Sequence, residues 1–197
     1  MRRKVSILIS IGMAGSAMCS ALLCFIMIAN VCSEEQARRM VNEHLLNESE
    51  FWGEYVIPSV SRNDPAYNDY RDGEINNYWR GRIWGPTNFL VSEGLKRCGF
   101  YREAHLFAKR SINVFRKEWE EYSHIHENYD ADTGEGCDVY NSDVFYHFGA
   151  LLAYLGVQEL IDVEPWGGIR FGNLYGGMNE VRNFIISNLV SFFAIVF

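Results

Sequence analysis

The sequence has no basic excess. Its 197 residues carry 18 Lys and Arg against 25 Asp and Glu, a formal net charge of −7 at pH 7. A surface built for nucleic acid or anionic lipid needs the opposite sign, so the balance argues against both as partners. Cysteine is sparse as well. Cys19, Cys24, Cys32, Cys98 and Cys137 are odd in number, and no two stand at Cys-x-x-Cys spacing. That argues against a zinc ribbon, a thioredoxin-like centre and a disulfide scaffold. Isolated cysteines read as small core hydrophobes. No glycine-rich phosphate loop opens a helix, no Gly-x-Ser-x-Gly elbow appears, and no internal repeat is visible. The stretch from Asp130 to Asp138 is acidic and glycine-containing, but the twelfth position of the loop is Asn141 rather than Glu and its glycines are misplaced for an EF-hand. It reads as a turn-rich rim. Neither a metal nor a cofactor is expected.

What is present fits one globular domain: 48% apolar, 15% aromatic and 22% charged residues. Residues 1–32 stand apart. Arg2, Arg3 and Lys4 precede an uncharged run from Val5 to Cys32, which resembles a secretory signal or a membrane anchor. A buried helix and non-native sequence are the competing readings. The first reading implies export or a membrane location, the others a cytoplasmic one. Membrane contact is expected only if this segment is an anchor.

Residues 33–174 read as the main domain. Ser33 and Gln36 have capping-box spacing, with Glu34 and Glu35 in the first turn, and a helix should run to about Asn47. Phe51 to Asn77 reads as a long loop rich in turn dipeptides. Helices are expected at Thr87 to Cys98 and Tyr101 to Tyr122, joined at Gly99 as an αα-hairpin. A further apolar helix is expected at Val144 to Leu160, with a short strand near Ile169 to Leu174. His44 and His105 stand alone on helices and read as surface residues. Residues 175–197 form an apolar tail without assignment.

Two stretches carry the chemistry. Tyr78 to Pro86 packs Trp79, Arg80, Arg82 and Trp84 into a loop closed by Gly85-Pro86. His126-Glu127-Asn128-Tyr129 places a carboxyl group among an imidazole, an amide and a phenol. Aromatic faces beside fixed polar groups suit a sugar, whose rings stack and whose hydroxyls need partners.

YWRGRIWGPTNFLVSEGL, HENYDADTGEG and DVYNSDVFYHFGALLAYLGVQEL, in that order, resemble the C-terminal half of a family of (α/α)6-barrel glycoside hydrolases. That family includes mannosylglycerate hydrolase and the family 63 mannosyl-oligosaccharide glucosidases. The resemblance implies an all-α fold, part of a six-hairpin barrel truncated on its N-terminal side. It implies inverting hydrolysis of an α-glucosidic or α-mannosidic bond in a glycoside or oligosaccharide. It makes Glu127 the general base and Trp79, Arg80, Trp84, Tyr129 and His147 the substrate contacts. From the residues alone, Trp84 could instead pack under its loop, Tyr129 could cap a helix, and His147 could be a core histidine. The family's general acid is an Asp in a Gly-x-Asp-Asn-Ser-Pro loop. No such motif occurs, and neither Asp64 nor Asp143 fits it. The expectation is therefore an incomplete chain lacking its acid. The alternatives are a non-catalytic carbohydrate-binding remnant and a helical structural protein.

Overall fold

The computed structural model describes residues 27–65, 67, 79–138, 142–163, 168–171 and 184–186. Most of the 1–32 segment and most of the apolar tail lie outside them, as does Tyr78. Met27, the first described residue, is buried in the core, and Ile28 and Cys32 pack against it. Among the described residues no helix is long and apolar enough to cross a membrane.

Helix α1 (Glu34–Arg39) starts as its sequence dictates. The Ser33 hydroxyl accepts from the Gln36 amide, and the Gln36 side chain accepts from the Ser33 amide. Two backbone donors with no partner inside the helix are thereby satisfied. Arg38 pairs with Glu34 at 2.7 Å and Arg39 with Glu43, both at four-residue spacing. The helix then widens into a π-type turn (Met40–Leu45) that closes at Leu46, one residue short of the expected end. Asn47 is engaged on every side. Its carboxamide oxygen accepts from Ser49, and its nitrogen donates to the Glu43 carbonyl and to Glu50. Asn47 thus holds the turn through its side chain.

The long loop that follows is only partly a loop. Phe51, Val56 and Ile57 have no exposed surface and belong to the core. Asn88 fixes this segment by accepting from the Ile57 amide and donating to the Ile57 carbonyl.

Strand β1 (Ile83–Trp84) runs into helix α2 (Gly85–Arg97). Pro86 sits in the first turn, where its missing N–H is no loss. Gly85 is required there because a Cβ would run into the carbonyl oxygen of Phe148. Gly99 turns the chain at φ +82° into helix α3 (Tyr101–Tyr122), completing the expected hairpin. Of the apolar stripe that the spacing predicts on α3, Ala104, Phe107 and Ala108 are buried, Ile112 and Phe115 are partly buried, and Trp119 is 46% exposed; Ser111 and Val114 are buried instead.

The helix expected from Val144 starts late. Val144 forms an antiparallel bridge with His126, and Phe145 takes a left-handed φ of +63°. A 3₁₀ turn (His147–Gly149) then leads into helix α4 (Ala150–Gln158). The bridge to His126 competes with helix formation and wins. Leu152 and Leu155 of α4 enter the core, whereas Tyr154 and Val157 lie about half exposed. Three short strands follow: β3 (Ile161–Val163), β4 (Ile169–Phe171) and β5 (Phe184–Ile186). They form an antiparallel sheet in that order, with Asp162 opposite Arg170 and Arg170 opposite Ile185. The expected strand near Ile169 is therefore present, and its continuation to Leu174 lies outside the described residues.

Helices α2, α3 and α4 pack on one another, and their shared interior is not wholly apolar. Lys96 is 1% exposed and contacts Glu93 and, at 2.5 Å, Asp162. Gln158 donates to both carboxyl groups, at 3.1 and 3.0 Å. Arg170 donates to the Gln158 carbonyl and to Glu159. His105, expected on the surface, is 2% exposed and lies 3.1 Å from Glu159. His44 is half-buried and 2.8 Å from Glu50 rather than solvated. An isolated polar residue on a helix looks like surface until its partner is known, and both partners here lie outside the helix.

Candidate active site

The two stretches singled out in the sequence are hydrogen-bonded neighbours. Strand β1 pairs antiparallel with β2 (Asn128–Tyr129), placing Trp84 opposite Asn128 and Ile83 opposite Tyr129. The loop before β1 is pinned by Ser59. Its hydroxyl donates to the Trp79 carbonyl and accepts from the Gly81 amide, and its amide donates to the Arg82 carbonyl.

The aromatic residues form two layers. Trp79 is 50% exposed and stacks on Trp84, with ring centroids 3.8 Å apart and planes 13° from parallel. Trp84 has no exposed surface. Trp84 thus packs under its loop, against the expectation of a direct contact, and Trp79 is the exposed ring of the pair. Arg80 is exposed beside it.

Gly81 adopts φ +119°. That conformation turns the chain so that Arg80 stays outside while Arg82 goes in. Arg82 is 5% exposed and donates to the Asn128 side chain. It also donates to the Glu135 carbonyl and approaches Asp130 at 3.8 Å. Asn128 in turn donates to the Ser142 hydroxyl at 2.8 Å. These residues lock β1 to the loop that holds Glu127.

Glu127 is 6% exposed, more enclosed than a solvated loop carboxyl. Its Oε2 accepts from the Asp143 amide at 3.0 Å. The neighbours on each side are also fixed, His126 by its bridge to Val144 and Asn128 by Arg82. Gly149 packs against His126 so closely that a Cβ would meet its carbonyl oxygen.

Tyr129 departs from expectation. It is 1% exposed and part of the core, and its hydroxyl accepts from the His126 amide at 3.2 Å. Its place is in the core, under the motif, rather than on an exposed face. Burial pushes its phenol up to about 12, with Glu118 and Asp138 adding to the shift and the His126 amide opposing it. In the unfolded chain a tyrosine ionises near 10. The folded state therefore favours the neutral phenol, and this contribution is intact below pH 10 and lost as pH rises towards 12. Two units correspond to roughly 2–3 kcal/mol. Urea titrations between pH 9 and about 12 should show the wild type losing stability more steeply than Tyr129→Phe. Equal slopes would reject the assignment.

His147 is exposed at the start of the 3₁₀ turn, not on an apolar helix. Its ring neighbours are Tyr146 and Phe148, with centroids 4.8 and 4.6 Å away. A separate open cleft lies near Trp52, Arg62 and Arg110, and none of the expected site residues lines it.

The solved structures define the class. A crystal structure of a family 63 mannosylglycerate hydrolase from Thermus thermophilus, in complex with Tris, superposes at a TM-score of 0.56 and 23% identity. It covers 72% of this chain and 30% of that one. Neutral trehalase from Saccharomyces cerevisiae superposes at 0.54 and 21% identity, over 73% and 24%. The helices thus form part of a six-hairpin glycosidase barrel. Residues 13–147 match the model of the mannosylglycerate hydrolase MGH1-like glycoside hydrolase domain, and the chain belongs to that family.

A mannosylglycerate hydrolase from Thermus thermophilus is 33% identical over 95 residues, 47% of this chain and 20% of that protein. A probable mannosyl-oligosaccharide glucosidase from Schizosaccharomyces pombe is 31% identical over 101 residues, 46% of this chain and 12% of that protein. The chain therefore matches only a fifth or less of the length of these relatives.

Proposed function

We propose that this chain carries the base half of an inverting glycoside hydrolase site, with Glu127 as the general base. The observation that supports this most is the β1–β2 pairing. It joins an exposed tryptophan face, seated on a second tryptophan, to the strand that begins one residue after a fixed glutamate. In an inverting mechanism that carboxyl group accepts a proton from water as the water attacks the anomeric carbon. A second carboxyl group, roughly 6.5–9.5 Å away, protonates the leaving oxygen. Trp79 stacks on the sugar and Arg80 meets its hydroxyls. The substrate is an α-glucoside or α-mannoside, as the names of the relatives suggest. His147 is a further contact at the edge of the site.

The second reading is a carbohydrate-binding module without turnover. It is favoured by the exposed Trp79 ring stacked on the buried Trp84, a face that can hold a sugar without cleaving it.

A panel of glucosyl and mannosyl disaccharides, aryl glycosides and glycerate glycosides separates the two. Turnover that Glu127→Gln lowers by at least about 10²-fold establishes the hydrolase. Saturable binding without turnover, weakened by Trp79→Ala but not by Glu127→Gln, favours the module. Absence of both rejects this assignment of the site.

A further inference from the structure

We propose that His124, His126 and Asp138 bind a divalent transition-metal ion of the zinc type. One ring nitrogen of each histidine and one oxygen of the aspartate lie within 4.8 Å of one another. Asp138 bridges the two rings. Its Oδ1 is 2.7 Å from His126 Nδ1, and its Oδ2 is 3.1 Å from His124 Nε2.

The far nitrogens carry the argument. His124 Nδ1 faces the Ile125 carbonyl at 3.2 Å. His126 Nε2 faces Glu118 Oε2 at 3.4 Å, is fully buried, and makes no hydrogen bond. Each ring therefore stands between two acceptors, and a neutral imidazole has a single N–H to give. A neutral ring that gives its single N–H to Asp138 leaves its outer nitrogen facing an acceptor with no proton, as the unpartnered, buried His126 Nε2 shows.

One metal ion replaces both inner protons. Each ring then keeps its single N–H on the outer nitrogen, directed at a carbonyl or a carboxylate. That outer arrangement is the usual one for metal-ligating histidines. The Gly136 amide already holds the Glu118 carboxylate in place, donating to Oε2 at 2.8 Å. Two imidazoles and a carboxylate favour zinc-like ions over calcium or magnesium, which take oxygen ligands. A tetrahedral ion with bonds of about 2.0–2.2 Å needs its ligand atoms roughly 3.3 Å apart, so the rings must draw back slightly from Asp138, which lies 2.7 and 3.1 Å from them through different oxygens. The Asp138 and His124 side chains are 32% and 14% exposed, so the fourth position opens towards solvent. The ion ties residue 124 to residue 138 and braces His126, the residue before Glu127.

The test of this site needs no substrate. Co²⁺ is titrated into the folded full chain near neutral pH and followed by its visible absorption. We expect one equivalent taken up, displaced by Zn²⁺, with a rise in the thermal midpoint. His124→Gln and Asp138→Asn, both at partly exposed positions, should each weaken binding more than about 10-fold. His44→Gln should leave it unchanged. Failure of the wild-type chain to take up stoichiometric Co²⁺ or Zn²⁺ overturns the proposal, and so does binding that survives both ligand substitutions.

Discussion

Replacing Lys96 with methionine is expected to destabilise the fold by about 3–5 kcal/mol, the loss typical of breaking a buried ion pair from one side. Lys96 comes from α2 and reaches Glu93 on its own helix and Asp162 on β3. Methionine restores most of the volume, so the effect isolates the charge. Two carboxyl groups would lose their ammonium partner at sites only 7% and 6% exposed. Gln158 can donate to both but brings no charge. Arg170 approaches Asp162 at 3.6 Å and is already held by Glu159. Urea unfolding of Lys96→Met against the triple variant Lys96→Met, Glu93→Gln, Asp162→Asn gives the check. The triple variant should recover much of the loss, because neutral amides no longer demand a cation. A single variant within about 1 kcal/mol of wild type would show that the pair is effectively solvated.

The same network shows where sequence reasoning stops. The α2–α3 hairpin was legible because its signals are local: Pro86 at the start, Gly99 at the turn, and an apolar stripe on α3. The capping box at Ser33 was legible for the same reason. Glu93 and Lys96, three residues apart on α2, look like a solvated pair. They are buried because Asp162 and Gln158 arrive from more than 60 residues away. His105 misleads in the same manner, since its partner Glu159 is 54 residues distant. Periodicity identifies which face is apolar; it does not identify a polar face whose partners come from elsewhere in the chain.

The site was legible as two stretches, not as a set of roles. Their residue types pointed to sugar chemistry, and their pairing as β1 and β2 accounts for their joint appearance. Within them, aromatic identity did not distinguish face from support. Trp79 is exposed, whereas Trp84 and Tyr129 are buried. The histidine–aspartate cluster escaped notice for a geometric reason. His124 and His126 are two residues apart, but Asp138 is 12 residues beyond His126 and returns through the turns of the 130–136 loop. A fixed-spacing metal motif does not describe that path.

Arg82→Met should be the most damaging change in the site itself. Sequence alone drew attention to Arg80, yet Arg82 is the arginine that Gly81 sends inward. Its removal leaves the Asn128 carboxamide oxygen buried without its hydrogen bond, and takes the cation from Asp130. Asn128 has no exposed surface, so water cannot readily replace the lost donor. Asp130 is partly exposed and recovers some solvation. The expected loss is about 3 kcal/mol or more, from the unsatisfied amide and the broken charge contact together. Arg80→Met, at an exposed position, should change stability by less than about 0.5 kcal/mol. Ligand measurements separate the roles further. If Arg80 meets the sugar, Arg80→Met weakens sugar binding while the fold stays intact. Arg82→Met should weaken binding even well below its lowered unfolding midpoint, because Glu127 adjoins the loosened Asn128. Equal stability of the two arginine variants would contradict the inward role of Arg82, and undiminished binding by Arg82→Met would show that β1 holds its place without it.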